Sequence, residues 1–363
     1  MTSNNTLASI AGAIPSIMRG VVLTGHGDTD KLHYRNDLPT PTLTGYDVLI
    51  RVSAAGVNNT DINTRLAWYS KKEADSSDAS WSGHALSFPL IQGADVCGTI
   101  VAVGNKVNPK RIGERVLIEP CLQEANSDAM IPPGYFGSEC NGGFAEYTKV
   151  ADRHAHSIKS DLSDTELASF PCSYSTAENM LTRANVSAQD NVLISGASGG
   201  VGSAAVQLAK ARGAHVIAIT SASKCQALFD IGADQVLTRE DDLISVLGES
   251  SVDVVIDLVA GEQWPVFLQA LKPGGRYAVS GAIGGAFVEL DVRTLYLKDL
   301  ILFGCTVLAT GVFHNLICLI EQGMIKPLVA QTYSLEEIIQ AQDAFQKKQH
   351  LGKIVLTVSN YVF

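Results

Sequence analysis

The feature that most constrains this chain is a glycine-rich turn between a short apolar run and a helical pattern. Residues 191–202 read NVLISGASGGVG, and the helical pattern continues to Arg212. A glycine turn alone is weak evidence, because turns need glycine for steric reasons. Here a strand precedes the turn and a helix follows it, so a phosphate can approach backbone N–H groups at the helix N-terminus. We expect a dinucleotide-phosphate site formed by Gly196, Ser198, Gly199, Gly200, Val201 and Gly202.

The composition is that of a soluble globular protein large enough for two domains. Hydrophobic residues make up 46% of the 363 residues and charged residues 18%. The net charge of −10 disfavours nucleic acid and anionic membranes as partners. No apolar run approaches the roughly 18 residues that span a bilayer. The first 17 residues contain no Lys or Arg, and the seven cysteines form no C-x-x-C pair, so we expect reduced thiols and a cytoplasmic location.

The pattern of elements changes near residue 160. Before it, short β-branched runs such as 47–52, 98–104 and 114–118 predict a β-rich unit, which a polar surface loop over 70–87 interrupts. After it, strands alternate with helices, and this predicts a doubly wound parallel sheet. The predicted strands are 192–195, 216–220, 235–237, 252–257, 276–280 and 300–304; two helices (313–322 and 335–348) and a strand (353–358) follow.

Several motifs together give a family resemblance that runs from about Arg19 to Val358. They are 55–61 (AGVNNTD), 92–98 (QGADVCG), 113–116 (GERV), 142–147 (GGFAEY), the glycine turn and 271–277 (LKPGGRY). In this order they resemble the medium-chain dehydrogenase/reductase superfamily, in its zinc-lacking quinone oxidoreductase-like branch. The resemblance implies a GroES-like catalytic domain of residues 1–158 and 312–363, and a Rossmann nucleotide-binding domain of residues 159–311. It also implies that the nicotinamide reaches a cleft between them.

The same resemblance bears on zinc, which members of this superfamily use to oxidise alcohols. The first two ligand positions fall on Asn58 and Ala94, and only the third retains a thiol, Cys172. Because zinc needs three protein ligands, we expect no catalytic metal. Residues 120–143 offer Cys121 and Cys140 where a structural zinc needs four cysteines. Cys172 is read as a buried small hydrophobe, and the pair His154 and His156 as surface residues.

The choice of cofactor depends on the end of the second predicted strand. NAD-specific folds have an acidic residue there, and that charge repels a 2′-phosphate. Here residues 219–224 read ITSASK, with hydroxyls and a cation instead. We therefore expect NADPH, although these serines would also cap the next helix. The predicted contacts of this half are Thr220, Ser221, Ser223 and Lys224; the resemblance adds Thr176, Asp257, Ser280 and Gly281 around the nicotinamide.

Without zinc to polarise an alkoxide, alcohol oxidation loses a Lewis acid, whereas a quinone or an enone accepts hydride directly. We expect reduction of such a small electrophilic substrate, with Asn58 and Thr60 in the cleft by family position and Tyr69 as a possible hydrogen-bond donor. Two of these residues have a purely structural alternative. Asn58 would instead satisfy the hydrogen bonds of a turn, and Tyr69 would be an aromatic residue that packs in the fold. Two other functions stay open, an alcohol dehydrogenase with unusual ligands and a non-catalytic, crystallin-like NADPH-binding protein. The family usually forms dimers or tetramers, so we expect a homodimer or homotetramer.

Overall fold

The computed structural model describes residues 8–9, 14–71, 79–123 and 134–358. Parts of the predicted 1–17 extension and 70–87 loop therefore lie outside the described residues. The strands are β1 (Ala8–Ser9), β2 (Ile17–Leu23), β3 (Leu32–Pro39), β4 (Asp47–Gly56), β5 (Asp95–Val103), β6 (Arg115–Ile118), β7 (Cys121–Leu122), β8 (Gly134–Tyr135), β9 (Tyr147–Ala151), β10 (Ala155–Ser157), β11 (Asn191–Ile194), β12 (His215–Thr220), β13 (Gln235–Thr238), β14 (Val252–Asp257), β15 (Leu271–Val279), β16 (Ile301–Gly304), β17 (Val329–Ser334) and β18 (Lys353–Thr357).

The α-helices are α1 (Asn59–Arg65), α2 (Asp164–Leu167), α3 (Pro171–Arg183), α4 (Gly200–Ala211), α5 (Cys225–Asp230), α6 (Leu243–Leu247), α7 (Trp264–Ala270), α8 (Val292–Leu297), α9 (Val312–Glu321) and α10 (Ile338–Gln346). Among the residues that the structure describes, no helix is long and apolar enough to cross a membrane. The chain divides into two compact units. Unit 1 contains residues 1–172, 327–349 and 353–363, and unit 2 contains residues 173–326 and 350–352.

Unit 2 contains the predicted parallel sheet. Its strands lie in the order β13-β12-β11-β14-β15-β16, and every neighbouring pair is parallel. Numbered within the unit this order is 3-2-1-4-5-6, the arrangement of the Rossmann fold, in which ligands bind at the carboxyl ends of the strands. Val192, Leu193 and Ile194 of the central β11 are fully buried, as expected for a strand covered on both faces. The predicted doubly wound sheet is confirmed.

Unit 1 is built on an eight-stranded, largely antiparallel sheet. Its main order is β10-β6-β5-β4-β18-β17, with β1 beside β5 and β9 beside β4. β18 pairs with β4 through Val355 and Gly56, so the C-terminal segment joins the sheet of the first domain, as the family resemblance implied. Its core is formed mainly by aliphatic side chains from these strands, and Phe136, Phe144 and the α10 residues Ile338 and Phe345 pack with them. The β-rich GroES-like unit is confirmed.

The two units divide later in the chain than the predicted boundaries after residues 158 and 311. Residues 159–172 belong to unit 1 because α2 packs on β4 and β5, and Arg115 Nε donates to Asp164 Oδ1 at 2.7 Å. Residues 312–326 belong to unit 2 because α9 is tied to α3, where Asn315 Nδ2 donates to Glu178 Oε1 at 2.7 Å. The change of secondary-structure pattern in the sequence does not report these packing contacts.

Candidate functional site

The glycine turn of unit 2 forms a backbone cradle at the start of α4. Gly196 has φ +57°, in the left-handed region that favours glycine, and Gly199 N donates to Gly196 O at 3.0 Å. A Cβ added to Gly202 would lie 2.3 Å from Gly196 O, so helix and turn approach too closely for any side chain there. The six predicted phosphate-binding residues lie in this turn and in the first turn of α4. The cradle fits the pyrophosphate of a dinucleotide.

Polar groups surround the carboxyl end of β12, as predicted. Thr220 is buried, and within the described part of the chain its Oγ1 has no hydrogen-bond partner. Ser221 Oγ lies 3.4 Å from Ser223 Oγ, and Lys224 Nζ donates to the carbonyl of His350 at 2.8 Å. Burial lowers the pKa of Lys224, and the nearby Arg239 lowers it further. The edge therefore has the hydroxyls of Ser221 and Ser223, the ammonium group of Lys224, and the buried hydroxyl of Thr220.

Arg239 is a cation at this edge that sequence reasoning missed. It follows β13, and its backbone N–H donates to Thr220 O at 3.0 Å. Its side chain is exposed. The sequence does indicate this position, because the carboxyl ends of parallel strands lie at one edge of a sheet and Arg239 is the first residue after the third strand.

Asp257, predicted near the nicotinamide, lies at the end of β14 and is bound by several protein donors. Its carboxylate is fully buried and accepts hydrogen bonds from Ser195 Oγ, from Tyr277 OH and from Ala260 N. These bonds hold the turn after β14, where Ala260 has a left-handed φ of +55°. Asp257 thus organises this turn, and its contact with the nicotinamide stays a prediction.

The other residues predicted near the nicotinamide lie in unit 2 at separate elements. Ser280 N donates to Asp257 O at 3.2 Å, so Ser280 is beside the turn after β14. A Cβ on Gly281 would lie 2.8 Å from Leu258 O, which explains the glycine by close backbone approach. Thr176 is half-buried on α3. Their contact with a cofactor stays a prediction.

Unit 1 contains a buried polar cluster, here named the Asp95 cluster, of Asn58, Asp95, Cys172 and Lys353. Lys353 Nζ lies 2.8 Å from Asp95 Oδ2, and the two side chains are 2% and 0% exposed. Asn58 Nδ2 donates to the same oxygen at 2.9 Å, and Lys353 Nζ donates to Asn58 Oδ1 at 2.5 Å. Cys172 N donates to Asp95 Oδ1 at 2.5 Å. The cluster is an ion pair whose remaining hydrogen-bonding positions are filled by an amide and a backbone N–H.

The Asn58 side chain is therefore engaged inside the protein. It is 5% exposed, and both ends of its amide are bound within the Asp95 cluster. This geometry gives Asn58 a bridging position between Asp95 and Lys353. Contact of Asn58 with substrate or nicotinamide stays a prediction, and the alternative of a residue that satisfies local structure has direct support.

Asp61 lies beside the cluster at the start of α1. Its Oδ2 accepts from Asn58 N at 2.8 Å and its Oδ1 from Gly93 N at 3.3 Å. Burial raises the pKa of Asp61 to about 7, although these backbone donors and Lys353 act in the opposite direction. Asp61 thus fixes the Asn58 and Gly93 backbones on either side of the cluster.

Thr60 and Tyr69 lie together in unit 1, and their contact with a substrate stays a prediction. Tyr69 OH donates to Thr60 Oγ1 at 3.3 Å, and both side chains are half-buried. Burial raises the pKa of Tyr69, so its hydroxyl stays protonated at neutral pH. The pair can offer a neutral hydrogen-bond donor.

Cys172 is held as a thiol. Its Sγ lies 3.1 Å from Tyr135 OH, and Trp81 packs against the Tyr135 ring with centroids 5.0 Å apart. Burial, and then the negative charge of Asp95, raise the pKa of Cys172 to about 12. The thiolate is the form that attacks an electrophile, and this shift in pKa disfavours it at neutral pH.

The residues present do not fit zinc. Within the ranges that the structure describes, no group of three His, Cys, Asp or Glu side chains is arranged to hold a metal ion. In the Asp95 cluster both carboxylate oxygens are occupied, and one occupant is an ammonium group. In the predicted empty zinc lobe, Cys121 is buried and Cys140 half-buried, while residues 124–133 lie outside the described residues.

The expectation that His154 and His156 are surface residues is wrong for His154, which is 5% exposed. The physical reason is a shared carboxylate: His154 Nδ1 and His156 Nε2 lie 3.3 Å and 3.1 Å from Glu119 Oε2. Burial acts to raise the pKa of Glu119, but the two histidines outweigh it and hold this pKa at about 2.

Replacing Glu119 by glutamine is expected to lower the free energy of unfolding by about 1–3 kcal/mol at pH 6. A depressed carboxyl pKa stabilises the fold above the ordinary glutamate pKa of about 4.3, and this contribution is lost as the pH falls towards 2. Urea unfolding of wild type and Glu119→Gln between pH 6 and pH 3 should give curves that converge on acidification. The exposed Glu262→Gln serves as control, and a difference independent of pH would contradict the prediction.

Comparison with known proteins agrees with this fold. Residues 44–160 match the alcohol dehydrogenase GroES-like domain, and residues 200–322 match the zinc-binding dehydrogenase family. A provisionally assigned alcohol dehydrogenase from Sinorhizobium meliloti 1021 is 44% identical, with a TM-score of 0.89 over 95% of this chain and 98% of that one. Human quinone oxidoreductase is 28% identical over 94% of this chain and 98% of its own length. Acryloyl-coenzyme A reductase of Metallosphaera sedula is also 28% identical, over 94% of this chain and all of its own length.

The Rossmann sheet, the glycine cradle and the GroES-like unit together define an oxidoreductase with a nicotinamide cofactor. The chain belongs to the medium-chain dehydrogenase/reductase superfamily.

Proposed function

We propose that this protein is an NADPH-dependent reductase of a quinone or an α,β-unsaturated carbonyl that works without zinc. The main support is the residues at the zinc-ligand positions: two of the three are Asn58 and Ala94, and the Asn58 amide is bound to Asp95 and Lys353 inside the protein. Alcohol oxidation without a Lewis acid loses several kcal/mol of stabilisation. An electron-poor acceptor takes hydride directly, so positioning is sufficient. The relatives named as quinone oxidoreductase and acryloyl-coenzyme A reductase support this class of small electrophilic substrate.

Selection of NADPH is supported by the charges at the carboxyl ends of β12 and β13. Ser221, Ser223, Lys224 and Arg239 lie there, and residues 220–224 contain no acidic side chain that would repel a 2′-phosphate. Charge-assisted hydrogen bonds from hydroxyls and cations favour a dianionic phosphate over a ribose hydroxyl. The cofactor supplies the hydride.

Thr60 and Tyr69 are the residues we propose for orienting the acceptor. The Tyr69 hydroxyl stays protonated because burial raises its pKa, and it donates to Thr60 Oγ1. The Thr60 hydroxyl is thereby left to donate its own hydrogen to a carbonyl oxygen that gains negative charge. The Asp95 cluster is too buried for this role.

The test is oxidation of NADPH and of NADH by metal-depleted protein, against a panel of quinones, enals, enones and simple ketones. We expect NADPH oxidation with quinones or enones and little with ketones. A preference for NADH would overturn the phosphate-site argument. Absence of turnover with every acceptor would instead favour a non-catalytic NADPH-binding protein. An alcohol dehydrogenase, favoured by the relative from Sinorhizobium, requires stoichiometric metal and loss of activity when it is removed.

Replacing Lys224 by alanine is expected to weaken NADPH binding by about 10- to 100-fold and to leave NADH binding within about 3-fold, because one phosphate-directed charge is worth roughly 1.5–3 kcal/mol. Fluorescence titration with both cofactors measures the change. The control is Lys210→Ala, which removes a lysine paired with Asp234 at 2.5 Å in the same unit. Equal weakening for both cofactors would show that Lys224 acts through the fold.

A dimer through unit 2 is our proposal for the assembly. β16 is the last strand in the sheet order, and Phe287 near it is 97% exposed. The exposed apolar side chains of the segment that leads into β16 include Ile283, Phe287, Val292, Tyr296, Leu297 and Ile301. A concentration of exposed apolar side chains in one segment beside an edge strand favours an interaction site.

Placing a charge on this surface is expected to shift the protein from dimer to monomer. Ile301→Lys should do so because it introduces an unpaired charge into a buried interface. Val246→Lys is the matched control, since the two side chains are 49% and 50% exposed and Val246 lies on α6. Analytical ultracentrifugation gives the masses, and a wild-type monomer at micromolar concentration would refute the dimer.

A further inference from the structure

Arg65, the last residue of α1, carries a buried charge. Its side chain is 1% exposed, and it belongs neither to the glycine cradle nor to the Asp95 cluster. The carboxylate that pairs with it, Asp28 Oδ1, lies 3.9 Å from Nη1 and is itself 94% exposed, so it offsets little of the cost of burying a cation. The hydrogen bonds of the guanidinium must offset the rest.

The guanidinium joins three segments of unit 1. Nε donates to Gln342 Oε1 on α10 at 3.0 Å, and Nη1 donates to the carbonyl of Gly27, between β2 and β3, at 2.7 Å. The contact with Gly27 is reciprocal, because its N–H donates to Arg65 O at 2.9 Å. A planar guanidinium presents donors to both acceptors in a rigid fork, whereas an ammonium is a single point on a flexible stem. Arg65 therefore fixes the end of α1 against two other segments.

The chain reverses direction immediately after Arg65. Ala67 N donates to Thr64 O at 3.3 Å and Trp68 N donates to Asn63 O at 2.9 Å, which are the two bonds of a Schellman motif. Ala67 occupies the left-handed position of this motif with φ +56°, where glycine is usual because a Cβ is unfavourable there. The turn is therefore strained, and its geometry depends on the contacts that hold the end of α1.

The reversal brings Tyr69 back to the first turn of α1. Tyr69 OH donates to Thr60 Oγ1 at 3.3 Å, and the Trp68 ring packs edge-on against the Tyr69 ring, with centroids 5.5 Å apart. A hydroxyl has one hydrogen to donate and two lone pairs that accept. Because the Thr60 oxygen accepts from Tyr69, its own hydrogen is directed to another acceptor.

We infer that Arg65 is a positioning residue of the acceptor site, which fixes the turn after α1 so that Tyr69 orients the Thr60 hydroxyl. The consequence for catalysis rests on the proposed function, whereas the effect on the turn does not. Arg65 acts through the backbone of residues 66–68, since its side chain is bound to Gly27 and Gln342. A change at Arg65 should therefore impair reduction of the acceptor and leave the nucleotide site of unit 2 intact.

Two substitutions weaken this anchor and keep most of the buried volume. Arg65→Lys keeps the charge and loses the fork. Gln342→Met removes only an acceptor, because in the part of the chain that the structure describes Gln342 Nε2 has no hydrogen-bond partner. Gln342→Glu is the conservative variant, since a carboxylate oxygen still accepts from Nε. Arg115→Lys is the matched control: it alters another arginine of unit 1, one that ties β6 to α2 through Asp164 Oδ1 at 2.7 Å.

Hydrogen–deuterium exchange of the full chain without cofactor measures the turn directly. The amides of Ala67, Trp68 and Ser70 donate to carbonyls within the turn, so their exchange reports its opening. We expect Arg65→Lys and Gln342→Met to raise exchange in peptides that cover residues 66–70 by about 10-fold, with β4 unchanged. Gln342→Glu and Arg115→Lys should match wild type.

Wild-type exchange over residues 66–70 in Gln342→Met would overturn the inference, and so would wild-type exchange in a folded Arg65→Lys. If Arg65→Lys does not fold, Gln342→Met alone decides. An equal rise in Arg115→Lys would also overturn the inference, because it would show a general loosening of unit 1.

Steady-state kinetics with NADPH and p-benzoquinone test the link to Tyr69. Arg65→Lys should lower kcat/KM for the quinone by about 10- to 100-fold and change the dissociation constant of NADPH by less than about 2-fold, because only the acceptor is misplaced. Arg65→Lys combined with Tyr69→Phe should cost no more than Tyr69→Phe alone, because both changes act through one hydrogen bond. Losses that multiply would show that Arg65 does not act through Tyr69.

The two proposals fail in distinguishable ways. Absence of NADPH oxidation by wild type with every quinone or enone refutes the proposed function and leaves the differences in exchange between variants intact. Unchanged exchange in the anchor variants refutes the role of Arg65, whatever the activity of the wild-type protein.

Discussion

Replacing Lys353 by methionine is expected to lower the free energy of unfolding by about 3–5 kcal/mol, the range found when one partner of a buried ion pair is removed. The reason is the position of its partner. Asp95 is 0% exposed, so removal of the ammonium leaves a buried carboxylate without its counter-charge. Urea or thermal unfolding monitored by circular dichroism at pH 7 measures the loss.

Two further variants separate loss of the charge pair from loss of packing. Lys353→Met combined with Asp95→Asn removes both charges, and it should recover at least half of the stability because no unpaired charge remains. Lys149→Met removes an ion pair of the same unit whose lysine is 40% exposed, and it should cost no more than about 1 kcal/mol. If Lys353→Met lowers the free energy of unfolding no more than Lys149→Met does, the buried ion pair of Lys353 and Asp95 does not stabilise the fold as its geometry implies.

Most of the nucleotide-binding unit could be predicted from the sequence because its signals are local. The run Val192–Ile194, the glycines that follow it and the helix after them are contiguous, and backbone geometry alone requires glycine at Gly196 and Gly202. The strand order also follows from a general rule for alternating strands and helices. The same rule places the ends of β12 and β13 at one edge, where Arg239 was overlooked.

The polar interior could not be predicted because its contacts join residues far apart in the chain. Lys353 and Asp95 are both charged residues at the start of an apolar strand. This position indicates that each has a buried partner, but the sequence does not show that the two residues pair with each other. Asp257 is a second case: family position suggested a ligand contact, but nothing in the sequence indicated that Ser195 and Tyr277, from neighbouring strands of the sheet, donate to its carboxylate. Burial decides both cases, and burial is a property of the tertiary structure.

Replacing Gly202 by alanine is expected to weaken NADPH binding by about 100-fold or more and to destabilise unit 2 by about 1–3 kcal/mol, as for overpacked sites. The added Cβ would lie 2.3 Å from Gly196 O and 2.6 Å from Ala197 Cα, so the turn must move away from α4 and the phosphate cradle opens. Isothermal titration with NADPH measures the affinity, and thermal unfolding without cofactor measures the stability.

Gly199→Ala distinguishes the two effects of a side chain in this turn. Its Cβ would meet only Gly196 O, at 3.4 Å, which is ordinary contact, so the fold should keep wild-type stability. NADPH binding should still weaken, because Gly199 precedes the first residue of α4, where the phosphates are expected to approach the backbone. Gly25→Ala, with nothing within 4 Å of its Cβ, should change neither quantity. If Gly202→Ala retains both stability and affinity, the close approach of turn and helix is not what holds the cofactor.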